Sequence, residues 1–218
     1  MSLFSLSKQT YKPLETIIVN DGSTDQLKMV IEEMKNEVWW KDLNPKFIDQ
    51  ENRGASAARN RGFRESNGKY VLFWDADTIG EPRMIEKMVS VLQQRTEASY
   101  VYSQFRFGWK KMKSREFSPE MLRKVNYIDT TSLVRREAAV AFDENLKRFQ
   151  DWDVWLTLLE KGQTGIFIPE VLFKKMVKGR KGISTWLPSF VFKLPFKTAG
   201  IINYEAAKKL VVQKHHLS

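Results

Sequence analysis

The stretch Tyr70–Ile79, YVLFWDADTI, decides how this chain is read. Five apolar or aromatic residues run straight into Asp75 and Asp77, with only Ala76 between the acids. A short unbroken apolar run reads as a buried strand of a parallel or mixed sheet. Acids at its carboxyl end stand where open α/β sheets bind ligands. Residues two apart on an extended backbone share a face, so both carboxylates are expected to point into one cavity. Like charges held together out of water repel unless a cation compensates them. A hard divalent ion bridging to phosphate oxygens is the usual compensation. The other reading of these residues is a strand that ends in a solvated acidic turn.

On the amino-terminal side, Leu3–Gln9 reads as the last turns of an amphipathic helix and Glu15–Asn20 as a strand. A helix is expected from Gln26 to about Val38, capped by Ser23 or Thr24, with Leu27, Val30, Ile31 and Met34 on one face. Pro45–Gln50 is a second strand, and Ala55–Glu65 a helix whose small residues allow close packing. Beyond the central stretch, Pro82 opens a helix to about Arg95, and Ser99–Phe107 suits a strand. Gly108–Arg123 is a polar, basic loop with a short helix after Pro119, and Tyr127–Arg135 is a strand. Gln150–Lys161 is a helix, followed by strands at Gly165–Ile168 and Val171–Val177. Strands alternating with helices of this length predict an α/β core.

The chain has 218 residues, enough for one domain with a substantial core. It lacks cysteine, which excludes disulfides, thiolate metal sites and cysteine nucleophiles. Its two histidines, His215 and His216, lie in the tail, which argues against a histidine zinc site or a Ser-His-acid triad in the body. A formal charge of +10 favours an anionic partner. Eighteen consecutive apolar residues occur nowhere, so no conventional spanning helix is predicted. Cytoplasm is the expected compartment, with the inner face of the cell membrane a further candidate. Residues 183–218 read as a basic, aromatic-rich tail after a domain over residues 1–182. Its Trp186–Ile202 stretch suits either a membrane-surface contact or a lid packed on the domain.

Three acidic clusters stand where a nucleotide-using enzyme would need them. Asp21, at the end of the first strand, can accept hydrogen bonds from a base or ribose, and Gly22 permits close approach. Asp75 and Asp77 form the second cluster. Asp151, in Gln150-Asp151-Trp152-Asp153, is either a first-turn acid or a carboxylate placed to take a proton from an attacking hydroxyl. Asp153 lies on another face of that helix and reads as structural. Gly54 supplies a second glycine turn, Arg59 either contacts phosphate or pairs with an acid, and Asn60 braces a loop. Trp109 is expected to be exposed, facing an acceptor.

Taken together, these pieces resemble the inverting nucleotide-sugar glycosyltransferases of family 2, which have a Rossmann-like GT-A fold. The matching strings are LSKQTYKPLETIIVNDGSTD (Leu6–Asp25), ENRGASAARNRG (Glu51–Gly62), GKYVLFWDADT (Gly68–Thr78), FDENLKRFQDWDVWLTLLEKG (Phe142–Gly162) and IPEVLFKKMV (Ile168–Val177). The resemblance implies a mixed central sheet flanked by helices. It implies that Asp21 contacts the nucleotide base, Asp75 the ribose and diphosphate, Asp77 a Mn²⁺ or Mg²⁺ ion, and that Asp151 is the general base. Gly22, Gly54 and Arg59 join the nucleotide-binding set. Lys175, Lys178, Arg180 and Lys181 are candidates for charge over the diphosphate. The implied donor is a UDP-sugar or GDP-sugar, and the implied acceptor a saccharide or lipid-linked saccharide of the cell surface.

Two departures stand out. Gln150 occupies the position of the family's Glu, and the family's usual first strand is missing, so the chain reads as amino-terminally truncated. A gap there would leave unpaired backbone groups on two neighbouring strands. The rival readings are a catalytically inactive fragment or partner subunit and a basic nucleic-acid binder. No nucleic-acid-binding module is recognisable, so nucleic acid is not an expected partner.

Overall fold

A computed structural model describes residues 1–177 and 199–217. The elements in order are α1 (Ser2–Ser7), β1 (Ile17–Asp21), α2 (Leu27–Lys35), α3 (Val38–Leu43), β2 (Lys46–Gln50), α4 (Ala55–Glu65), β3 (Tyr70–Leu72) and β4 (Thr78–Gly80). They continue with α5 (Met84–Gln94), β5 (Tyr100–Phe107), β6 (Lys110–Lys111), α6 (Pro119–Lys124), β7 (Leu133–Arg135), α7 (Gln150–Glu160), β8 (Gly165–Lys175) and α8 (Ala199–Lys214).

The mixed sheet flanked by helices is present, in two parts. Strands β1 and β2 form a parallel pair of their own, while the second sheet runs β3-β7-β5-β8-β4 with β6 on β5. Within it β5 and β8 are parallel and the other pairs antiparallel. No backbone pairing joins the two sheets among the described residues.

Each face of the larger sheet is covered by a helix whose apolar stripe fits it. Met84, Ile85, Met88, Val89 and Leu92 of α5 recur at helical spacing and pack with Val101, Phe105, Leu172 and Phe173. On the other face, Trp152, Val154, Trp155, Leu156 and Leu158 of α7 pack with Tyr100, Tyr102 and Val134. The Trp155 and Tyr100 rings lie 4.9 Å apart. Alternation along β5 sends Tyr100 and Tyr102 to one side and Val101 to the other.

Several expectations need correction. The apolar run of the central stretch is strand only over Tyr70–Leu72, and it lies at one edge of the larger sheet. The single helix expected over Gln26–Val38 is two, α2 and α3. Its start carries neither Ser23 nor Thr24 as a cap; the Leu27 amide donates to Asp25 Oδ1 at 3.1 Å. The expected loop from Gly108 begins as a hairpin, β5–β6, turning at Gly108-Trp109. Ser118 then caps α6 through the Met121 amide. Pro169 does not divide the last strand: β8 runs through it, with a register irregularity against β5.

The tail stretch Trp186–Ile202 lies outside the described residues up to position 198. From Ala199 the chain is helical and packs on the domain, with Ile201 and Val211 buried. A charged latch holds it to α7. Asp153, almost fully buried, takes Lys214 Nζ at 2.7 Å and His215 Nε2 at 2.9 Å. The other His215 nitrogen meets Glu160 at 2.7 Å, and Lys214 also reaches Asp143 at 2.8 Å. Among the described residues, no helix is long and apolar enough to cross a membrane.

Removing one member of a buried hydrogen-bonded charge cluster leaves the others under-satisfied. His215→Ala should lower the free energy of unfolding by roughly 1–3 kcal/mol. Urea denaturation followed by circular dichroism measures it, and an unchanged midpoint would show that the latch carries no stability.

Candidate functional site

The first cluster is built where β1 ends. Asp21, the last residue of β1, accepts from the Arg53 amide at 2.9 Å and the Gly54 amide at 2.8 Å, with Gln50 Nε2 at 2.8 Å. Its carboxylate therefore ties the β2–α4 loop to the end of β1. Gly22 has φ +68, and a Cβ there would stand 2.7 Å from the Asn52 amide nitrogen. The close approach that this glycine permits is thus between two stretches of the chain itself. Gly54 has φ +90 with open space around it, so its backbone conformation is the requirement, as residue before α4. Ser23 donates its amide to Asn20 Oδ1, and Asn20 in turn bonds Asp49.

The second cluster centres on Asp75. Arg59 Nη2, from α4, lies 2.8 Å from Asp75 Oδ1, and Lys175 Nζ, from β8, lies 2.8 Å from Oδ2. Of the two sequence readings of Arg59, pairing with an acid is the one realised. Its other nitrogen donates to Gln150 Oε1 at 3.0 Å, and the guanidinium stands 5.2 Å from the centre of the Phe142 ring. Burial pushes the Asp75 carboxyl up, but Lys175 and Arg59 outweigh it and hold it well below the usual carboxylate range. Lys175 also bonds Asp129 Oδ1 at 2.9 Å. Its ammonium is pulled down by burial and pulled up by Asp129 and Asp75, with a net shift upward.

Asp77 follows in the turn between β3 and β4, which the Thr78 amide closes on the Asp75 carbonyl at 2.9 Å. Both Asp77 carboxylate oxygens are withdrawn from solvent. Its carbonyl accepts from the Met176 amide at 2.9 Å, which fixes the turn against the end of β8. The two acids do not alternate on a strand as expected, because β3 has ended at Leu72. Among the described residues, no three acids or histidines stand together as a metal-ligand set. A divalent ion held here would have Asp77 as its one carboxylate ligand and would take the rest from phosphate and water.

Asp151 opens α7 beside these groups. Its Oδ1 accepts from the Trp152 amide at 2.9 Å, and the Asn126 side chain bonds it as well. It borders a small hollow lined by Phe73, Val134, Phe142, Val154 and Trp155. Burial raises the Asp151 carboxyl, and the like charge of Asp129 raises it further, against a lowering by Lys175. Gln150 accepts from Arg59 and donates Nε2 to the Leu146 carbonyl at 2.7 Å. A carboxylate at that position could only accept. Asn60 braces the same loop, donating to the Phe142 carbonyl at 2.9 Å and accepting from its amide at 2.8 Å.

Residues 2–146 match the model of glycosyl transferase family 2. The chain belongs to that family. A family 2 relative named as an uncharacterized glycosyltransferase of Methanocaldococcus jannaschii is 26% identical over 82% of this chain and 66% of its own length. The glycosyltransferase GlyA of Streptococcus pneumoniae is 41% identical, over 39% of this chain and 12% of that protein. The chain therefore spans less than two thirds of either relative. Among solved structures, S. aureus TarS in complex with UDP-GlcNAc superposes with TM-score 0.73 at 17% identity, over 97% of this chain and 61% of that one. The mannosyltransferase PcManGT of Pyrobaculum calidifontis, in complex with GDP-Man and Mn²⁺, gives 0.64 at 20% identity, over 83% and 53%. Both likenesses carry the GT-A fold to this family 2 chain.

The structure thus gathers Arg59, Asp75, Lys175 and Asp129 into one bonded network, to which sequence reasoning did not assign Asp129, with Asp151 within electrostatic reach of Asp129 and Lys175. The signal for Asp129 was a lone acid beside the apolar Tyr127-Ile128 pair; for Lys175 it was an inward register position on a strand whose neighbour Lys174 is exposed. Of the basic residues considered for the diphosphate, Lys178, Arg180 and Lys181 lie outside the described residues. Trp109 is exposed as expected, at 88%, on the tip of the β5–β6 hairpin.

Gly22→Ala forces a side chain into a left-handed conformation and against the Asn52 backbone. It should cost roughly 1–3 kcal/mol of stability, read as a fall in the thermal midpoint by calorimetry. An unshifted midpoint would show that the 51–54 loop yields freely.

Proposed function

We propose that this chain transfers a sugar, with inversion, from a nucleotide-diphosphate sugar to a hydroxyl of a saccharide or lipid-linked acceptor. The observation that carries the reading is the pairing of two carboxylates with opposite electrostatics in one network. Asp75 is held ionised by Arg59 and Lys175, whereas Asp151 is pushed toward the proton by burial and Asp129. A carboxyl pushed toward its protonated form suits proton uptake, and one held ionised suits the acceptance of hydrogen bonds.

In this mechanism Asp151 accepts the proton of the acceptor hydroxyl as its oxygen bonds to the anomeric carbon. The bond from that carbon to the diphosphate oxygen breaks, and its electron pair leaves with the diphosphate. One in-line displacement inverts the configuration. Asp75, with one bond to each oxygen, keeps lone pairs to accept ribose hydroxyls. Asp21 and the backbone loop it holds shape the base side of the pocket. A Mn²⁺ or Mg²⁺ ion on Asp77, when bound, would supply positive charge for the leaving diphosphate. The mannosyltransferase complex with GDP-Man and Mn²⁺ and the TarS complex with UDP-GlcNAc support a donor of this class. Gln150 replaces a family carboxylate but still anchors both Arg59 and the Leu146 carbonyl, which favours a catalytic chain over an inert one.

Isothermal titration with UDP and with GDP, each with and without Mn²⁺, tests the donor site. Metal-dependent binding is expected for one of them and should disappear in Asp77→Ala; metal-dependent binding that persists unchanged in that variant would remove Asp77 as the ligand. Asp151→Asn should lower turnover by roughly 10²–10⁴-fold while donor affinity is unchanged, and full activity would reject it as the base.

The pH profile gives a finer check. Turnover needs Asp151 ionised, so the rate climbs as pH rises through its pKa. Asp129→Asn removes a like charge that raises that pKa. The acidic limb of the kcat profile should therefore move to lower pH, and a limb that stays or moves upward contradicts the assignment.

A further inference from the structure

Lys175 is a lysine whose side chain is only 8% exposed, at the last position of β8. Its backbone is fixed from both sides: it pairs with Thr78 of β4, and its carbonyl accepts from the Gly108 amide at 2.8 Å. The ammonium contacts Asp75 at 2.8 Å and Asp129 at 2.9 Å. Burying such a strongly hydrated charge is costly unless partners compensate, and two carboxylates do so here. A merely structural lysine would satisfy this description by pinning β8 to the turn.

The placement of Asp75 points further. Under the donor reading proposed above, Asp75 lies beside a diphosphate that carries multiple negative charges. An uncompensated carboxylate there would repel the very group the site must hold. With Arg59 on one oxygen and Lys175 on the other, Asp75 can accept hydroxyl hydrogen bonds without presenting net negative charge. We propose that Lys175 is a positioning residue that acts through Asp75, cancelling its charge so that the pocket admits a nucleoside diphosphate as well as a nucleoside. The inference rests on the donor reading, and it concerns the charge of the ligand, not its base or sugar.

The test compares affinities for UDP and uridine, or GDP and guanosine, whichever pair the wild-type chain binds, at fixed ionic strength and with Mn²⁺ present. Lys175→Met should reduce diphosphate affinity at least about tenfold more than nucleoside affinity, because only the charged ligand is repelled by the net negative charge left when Asp75 and Asp129 share Arg59 alone. Lys175→Arg, which keeps the charge, should restore the diphosphate-to-nucleoside ratio to within about threefold. Asp75→Asn should shift that ratio the opposite way, since it removes a negative charge while Arg59 and Lys175 stay, with Asp129 the carboxylate left on Lys175; this conservative variant decides the matter if Lys175→Met does not fold. In turnover assays the Lys175→Met defect should appear in the donor KM more than in kcat. Equal losses for both ligands, no loss, or an Asp75→Asn ratio that falls would overturn the inference and leave a structural lysine. Absence of any nucleotide binding by the wild-type chain would instead remove the donor reading, and the inference with it.

Discussion

One carboxylate governs how the parts of this molecule meet. Asp75 stands just past the end of β3, and its two oxygens draw in Arg59, 16 positions earlier, and Lys175, 100 positions later. Charge-assisted bonds of this kind are short, directional and stronger than neutral ones. Stripping a partner from a buried pair costs roughly 3–5 kcal/mol, which is a large part of a domain's net stability. The end of β8, the body of α4 and the turn between β3 and β4 are therefore registered to one another by electrostatics, on top of the apolar cores that bring the sheet and helices together. Through Gln150 the same arginine reaches the start of α7, so the position of Asp151 inherits this registration.

The contrast between Asp75 and Asp151 shows how environment assigns roles to chemically identical groups. Both are partly buried. Asp75 has two cations within bonding distance; Asp151 has a backbone amide, an asparagine side chain, an apolar hollow and a like-charged neighbour. Lys175 touches the first and, at longer range, lowers the second. Gln150 shows a different economy: an amide satisfies a guanidinium and a carbonyl at once.

The elements most legible in the sequence were those with sustained periodicity. Helix α4 begins and ends at the residues that its small-residue pattern indicated, and α7 and β5 are within a residue or so of expectation. Where local pattern and tertiary pairing compete, the sequence misleads. The run Tyr70–Trp74 is apolar enough for a longer strand, yet only three residues find a partner, in β7, while Phe73 packs on Phe142 and Trp74 bonds Ser2 of α1. The β5–β6 hairpin turns on Gly108-Trp109, without the usual Asn-Gly signal. At the site, spacing showed which acids stand at strand ends, and it anticipated that Asn60 braces a loop. It could not show partners. That Asp21 is occupied by its own chain's amides, that Arg59 faces Asp75, and that Asp129 and Lys175 complete the cluster all depend on contacts between distant segments. Nothing near His215 in the sequence hints at its contact with Asp153, 62 positions away.

That last contact has a dynamic consequence. Helix α7 carries both Asp151 at its start and, on another face, the carboxylates that grip Lys214 and His215. Neither helix can unravel at that end without abandoning charges to a medium that solvates them poorly, so their opening events are expected to be shared, as one cooperative unit. Amide deuteration of the two helices should then proceed at matched rates, and slackening the carboxyl-terminal helix would be felt at Asp153, two positions from Asp151 in the same turn of its neighbour.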